Sequence, residues 1–125
     1  MESKTSNVLI ATMMLAVILL VWTRGAQAAL VATEQAYELT VDQVERWPLS
    51  DNGRIVLRAC ATCETVALSV DANTTYRSSQ SSLNITREEM LQIKSMLGNP
   101  DDAFLYIFYR PDDDIATRIV LDTGN

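Results

Sequence analysis

The sequence predicts an α+β domain that is mostly β. We expect a small antiparallel curled sheet or an OB-like barrel with one main helix at about 87–97, preceded by an N-terminal signal or apolar helix. Short runs in which apolar and polar residues alternate are typical of strands with one buried face. A single segment combines helical caps with helical apolar spacing. The chain has 125 residues, which is enough for one modest domain.

The N-terminal segment has the three-part layout of a secretory signal peptide. A short polar start precedes the apolar run 8–22, and Ala26-Gln27-Ala28 provides a small-x-small cleavage site. We expect cleavage after Ala28 (signal peptide 1–28), which would make the protein periplasmic or secreted. The alternative is an uncleaved anchor in the inner membrane through residues 8–22, although this run is short for a span. Residues 29–36 would form a flexible lead-in, and 37–122 a single small β-rich domain.

The segment 37–47 fits both a strand and a helix. Its first apolar residues alternate as in a strand, whereas Thr40 with Gln43 fits the capping box at a helix start. We predict a short helix over 41–46. It should end before Pro48, because the residue that precedes a proline avoids the helical conformation.

The two cysteines of the chain lie between two predicted strands. Residues 54–58 and 65–70 alternate apolar and polar side chains, and a CxxC motif, Cys60 to Cys63, occupies the connection. Export would place the cysteines in an oxidising compartment, so we expect a disulfide bond between them. Closing so short a ring stabilises the fold by only about 2 kcal/mol.

Two chemical roles are open for Cys60 and Cys63. A thiol–disulfide redox protein would use them, but such a pair usually opens a helix, and the residues after Cys63 have a strand pattern. A Cu(I) or Zn(II) carrier would bind through the two thiolates, with a second copy supplying the other pair for zinc. The chain has no histidine, so a complete Cys/His zinc site cannot form within one copy.

The helix has the clearest local pattern in the chain. Thr86 and Glu89 form a capping box at its start. Met90 and Leu97 belong to its apolar stripe, and Gly98 is expected to end it.

Further strands are predicted on both sides of the helix. Residues 74–77 form a short polar strand before a serine-rich loop at 78–82. Residues 103–109 are apolar on both faces, which predicts a central strand covered by the helix on one side and by the rest of the sheet on the other. A turn at 111–114 leads to a final strand at 115–121.

The residue set excludes several kinds of catalytic and metal site. Without histidine there is no Ser-His-Asp or Cys-His centre, and the four glycines form no phosphate-binding loop. The aspartates at 112–114 lack the spacing of a calcium loop. We therefore expect no cofactor and no enzyme activity, thiol–disulfide exchange being the only enzymatic role with residue support.

The acidic composition limits the partners. A net charge of −6 disfavours nucleic acid and anionic membranes. We expect a protein or a small molecule as the partner, with membrane contact only if the N-terminal segment is uncleaved.

The chain contains, in this order, Trp47-Pro48, the Arg-rich strand into the CxxC, Thr74-Thr75-Tyr76, the helix, F-Y-R-P-D at 108–112 and T-R-I-V-L at 117–121. This order of motifs resembles that of small exported bacterial proteins with no assigned activity. From Thr65 onward, the strand, helix and hairpin order is similar to small OB-like one-helix barrels of the bacterial envelope. The resemblance implies a fold class and a location, and it carries over no functional residue. Together these features predict an exported, non-catalytic binding or accessory module.

Overall fold

The structure, a computed structural model, describes residues 33–124. The predicted signal peptide 1–28 and its cleavage site lie outside the described residues. Within them the chain forms strands, one α-helix and two short 3-10 turns, Val41–Gln43 and Pro100–Asp102. The elements are β1 (Gln35–Thr40), β2 (Val44–Arg46), β3 (Arg54–Leu57), β4 (Val66–Ser69), β5 (Thr75–Ser78), β6 (Asn84–Ile85), α1 (Arg87–Ser95), β7 (Phe104–Arg110) and β8 (Ile115–Asp122).

The strands form one eight-stranded sheet, which curls but does not close. Its main path runs β1-β7-β8-β4-β3-β2, and β8 holds it together. β8 pairs antiparallel with β7, parallel with β5, and parallel with β4 at a single position. The expected mostly-β fold with one helix is confirmed. The sheet is mixed, however, where a purely antiparallel sheet or a barrel was expected.

The core lies on the concave side of the sheet, where alternate residues of the strands meet α1. Burying an aliphatic side chain of this kind contributes roughly 1.5–3 kcal/mol. Met90 of α1 is 1% exposed and joins the same cluster. The fully buried strand residues are Ile55, Leu57, Leu68, Leu105, Ile107, Ile119 and Leu121.

The prediction of a helix over 41–46 is wrong. A single 3-10 turn follows β1, and the chain then re-enters the sheet as β2, where Val44 pairs with Leu57. The capping pattern is nevertheless real, because the Gln43 side-chain oxygen accepts a hydrogen bond from the Thr40 amide at 2.8 Å. Strand pairing and burial of Val44 outweigh the local helical preference. β1 itself begins at Gln35, within the predicted lead-in.

The predicted helix start is confirmed. The Glu89 amide donates to Thr86 Oγ1 at 3.1 Å, and Glu89 Oε2 accepts from the Thr86 amide at 2.6 Å. The helix ends earlier than predicted, because its C-cap is Met96, two residues before Gly98. At nine residues α1 is short, and no helix within 33–124 has the length and apolar character needed to cross a membrane.

The prediction that β7 is covered on both sides is also wrong. Leu105 and Ile107 point into the core and are fully buried, whereas Phe104, on the opposite side, is 45% exposed. α1 packs against one side of the sheet only. The other side of β1, β7, β8 and β5 is called the outer face, and it carries Phe104, Tyr106, Phe108, Val120, Arg118 and Arg77.

Candidate functional site

The two cysteines lie where the sequence predicted, in the connection between the antiparallel strands β3 and β4. Their sulfurs are 2.03 Å apart and form a disulfide. The Cys63 amide donates to the Cys60 carbonyl at 3.1 Å, so the bond closes a tight turn. The connection spans 58–65 and is longer than expected, because β3 stops at Leu57 and β4 starts at Val66.

Polar contacts fix the base of this connection, which we call the disulfide loop. Arg58 forms an ion pair with Glu45 of β2 at 2.7 Å, and it also donates to Thr65 Oγ1 at 3.1 Å. Gln43 Nε2 donates to the Ala59 carbonyl at 2.8 Å. The loop is therefore tied to the residues around β2 as well as to its own strands.

The surroundings of the disulfide bear on its reactivity. Cys60 is exposed, so an external thiolate could reach its sulfur. No helix begins at either cysteine, and both acidic residues (Asp42 and Glu45) and the basic Arg58 line the same cavity of about 300 Å³ as Cys60. The disulfide therefore lacks the helix N-terminus that stabilises the thiolate in redox centres of the thioredoxin type.

The disulfide also affects the metal hypothesis. In the bonded form neither sulfur is a thiolate that could bind Cu(I) or Zn(II). Between residues 33 and 124, no three Cys, Asp or Glu side chains converge on a point where they could hold a metal ion.

The outer face carries three aromatic side chains in a row along β7. Phe104, Tyr106 and Phe108 alternate with the buried Leu105 and Ile107, so all three rings lie on the uncovered side. The sequence analysis missed this row because the whole segment is apolar. The informative feature was that its aromatic and aliphatic residues alternate.

The charges on the outer face are divided between two ends. Glu38 pairs with Tyr106 across β1 and β7, and Asp122 pairs with Phe104 across β7 and β8. The pKa of the Tyr106 hydroxyl is raised, first by burial and then by the carboxylates of Glu38 and Asp122. The basic side chains Arg77 and Arg118 lie at the other end.

A cavity of about 270 Å³ lies at this basic end of the outer face. The Arg118 guanidinium stacks over the Phe108 ring, 4.0 Å from its centroid, and it is 3.6 Å from Glu34 Oε2. Stacking on an aromatic ring fixes the plane of a guanidinium while its N–H groups stay available at the edges. The cavity is lined by Arg77, Ser79, Ser81, Phe108, Arg118 and Val120.

No family model matches the chain, and comparisons with curated proteins and with solved structures find no significant match to it. The functional argument therefore depends on the geometry of the disulfide loop and the outer face.

Proposed function

We propose that this protein is an exported, non-catalytic binding module that contacts its partner through the outer face. The aromatic row of β7 is the observation that carries this proposal. Large rings supply much contact area with few rotatable bonds, and aromatic residues are enriched where proteins bind ligands. A soluble domain gains no stability by directing Phe104 to solvent, since burying the ring would be favourable.

Export is supported by the sequence pattern of residues 1–28 and by the disulfide distance between Cys60 and Cys63. Disulfides persist in the periplasm and outside the cell and are rare in the cytosol. In this proposal the disulfide stabilises the loop between β3 and β4, and the outer face contacts the binding partner.

Site-specific photo-crosslinking in cells that produce the full chain tests the proposal. A photoreactive amino acid replaces Phe104 or Tyr106, and the control replaces Leu49, which is 85% exposed in the β2–β3 connection. Intact-mass measurement detects adducts of any size. We expect a discrete adduct from the outer-face positions and none from Leu49. Adducts from Leu49 alone, or none from either outer-face position, would contradict the proposal.

Thiol–disulfide exchange is the second candidate, and the exposure of Cys60 favours it. This function requires a bond that mild reductants open in the folded protein, and a phenotype that is lost in the Cys60→Ser/Cys63→Ser variant. Turnover of a disulfide substrate by the purified protein, absent in that variant, would favour exchange over the binding module.

A further inference from the structure

We infer that the basic end of the outer face is a binding site for a carboxylate carried on a hydroxylated ring, that is, for one acidic monosaccharide unit. The inference rests on the proposed binding function and names a ligand class for part of the same surface. The cavity formed by Arg77, Arg118 and their neighbours provides the argument.

Two arginines face this cavity from adjacent parallel strands. Arg118 of β8 pairs with Thr75 of β5, and Arg77 pairs with Val120, so the two arginines are diagonal neighbours on the outer face. Both positive charges would attract an anion in the cavity, where the Glu34 carboxylate lies 3.6 Å from Arg118.

The two guanidinium groups keep unused donors. Arg77 donates one N–H to the Ser82 carbonyl at 3.2 Å, and no carboxylate of the described residues lies within 4.0 Å of its nitrogens. Arg118 has only the 3.6 Å contact with Glu34 and is held by Phe108. A planar, fixed guanidinium suits a carboxylate, which accepts two parallel N–H bonds from it.

The rest of the lining suits a hydroxylated ring. Val120 and Phe108 are the apolar residues that line the cavity. Ser79 and Ser81 also line it, and their hydroxyls form hydrogen bonds with Thr123 and with the backbone of Leu83. A hydroxyl oxygen can accept two hydrogen bonds, so each keeps capacity for a ligand hydroxyl. The cavity volume, about 270 Å³, lies just below the ~300 Å³ at which pockets for drug-sized ligands start, so the cavity suits a single small ring.

The test uses ¹⁵N amide shifts of the oxidised protein purified from cells that express the full chain. It is titrated with sodium glucuronate, with glucose (the ring without the carboxylate) and with inorganic phosphate (an anion without the ring). We expect saturable shifts at Arg77, Ser79, Ser81 and Arg118 with glucuronate, and affinity weaker by about tenfold or more for the other two probes.

Variants separate a site from general charge effects. Arg77→Gln should weaken glucuronate binding about tenfold. Arg54→Gln, which removes the same charge from an exposed residue of β3, should leave it nearly unchanged. Arg118→Lys keeps the charge and removes the planar donor, so it should also weaken binding. Thermal melting confirms that each variant is folded.

Several results would overturn the inference. If glucose binds as tightly as glucuronate, the site does not recognise the carboxylate. If phosphate binds as tightly as glucuronate, the site recognises an anion but not the ring. Equal losses in Arg77→Gln and Arg54→Gln, or no shifts at the cavity, would reject the site. If photo-crosslinking at Phe104 succeeds while glucuronate fails, the ligand class is wrong and the binding function stands. If Phe104 and Tyr106 give no adduct, the binding function fails.

Discussion

The rings of Tyr37 and Tyr109 are stacked, with centroids 5.0 Å apart and planes at 15°. This pair joins the first strand of the described sheet to β7, and both rings pack against the core. Tyr109 also donates its hydroxyl to Gln35 Oε1 at 2.8 Å. The edge strand β1 is therefore attached to β7 by side chains as well as by its backbone ladder.

A double-mutant cycle should measure this attachment. Alanine at Tyr37 and at Tyr109 should show a coupling energy of about 0.5–1.5 kcal/mol in urea unfolding, because stacked rings add this much beyond their buried area. The control cycle pairs Tyr37 with Tyr106, which lies on the other side of the sheet. Its two effects should add within roughly 0.5 kcal/mol. Equal coupling in both cycles would show that the stack is not specific.

Phenylalanine at Tyr76 should stabilise the protein. The Tyr76 hydroxyl is buried without a hydrogen-bond partner among the described residues, and a buried unsatisfied polar group costs about 1–3 kcal/mol. Tyr76→Phe keeps the ring that packs beside Ile85 and should gain about 1 kcal/mol in urea unfolding at neutral pH. Tyr106→Phe, at a partly exposed ring, serves as the control and should gain nothing. A net loss of stability in Tyr76→Phe would show that the hydroxyl has a partner.

Tyr76 should also make the protein less stable at strongly alkaline pH. Burial, the largest cause, raises the pKa of Tyr76 to about 12. Because the folded pKa is raised, the contribution of the neutral phenol to stability is complete below the unfolded pKa of about 10, and it is lost as the pH rises through about 12. Unfolding curves at several alkaline pH values should show this loss in the wild type, and a smaller loss in Tyr76→Phe.

The disulfide should matter little for global stability. Its ring is short, so the Cys60→Ser/Cys63→Ser variant should lose about 2 kcal/mol or less. The β3–β4 pair should remain folded without the disulfide, because its own side chains Ile55, Leu57 and Leu68 are fully buried in the core. Urea unfolding of the variant should match that of the reduced wild type. A variant that fails to fold would show that the bond holds the hairpin.

Asp113 should stabilise the β7–β8 turn only above acid pH. Arg110 bonds to it at 2.7 Å, and this contact, aided by the Ile115 amide, lowers the pKa of the carboxyl. A lowered folded pKa gives a contribution that is present above the unfolded value of about 3.9 and is lost as the pH falls through the folded value.

The corresponding measurement is thermal melting of Asp113→Asn. Its Tm should be slightly below that of the wild type at neutral pH, and the difference should shrink in acid. Asp112→Asn, which removes the same charge from the neighbouring residue, should change the Tm less. A difference between Asp113→Asn and wild type that persists at low pH would contradict the assignment.

Local features of the fold could be predicted from the sequence. The capping box of α1 joins Thr86 to Glu89, three residues away, and the disulfide loop joins strands that are close in the chain. Such contacts join residues that are close in the sequence, so a short stretch of sequence is enough to predict them. The candidate redox pair was found for the same reason, because its two cysteines are three residues apart.

Long-range contacts could not be predicted in this way. Thr74 Oγ1 donates to the Ala116 carbonyl at 2.7 Å, 42 residues away, beside the parallel β5–β8 pair. No local pattern records such a partner. Residues 44–46 form a strand because β3 pairs with them, whereas residues 41–43 keep the local helical preference as a single 3-10 turn. The outer face could not be predicted, because a run of apolar residues does not show which side of the strand the rest of the chain covers.

β8 is translated after all of its partners. Until residues 115–122 have emerged from the ribosome, a nascent chain holds β7, β5 and β4 without the strand that joins them, so the eight-stranded sheet cannot be complete before that point. Without β8, the described residues should keep three separate groups of strands, which are β1 with β7, β2 with β3 and β4, and β5 with β6.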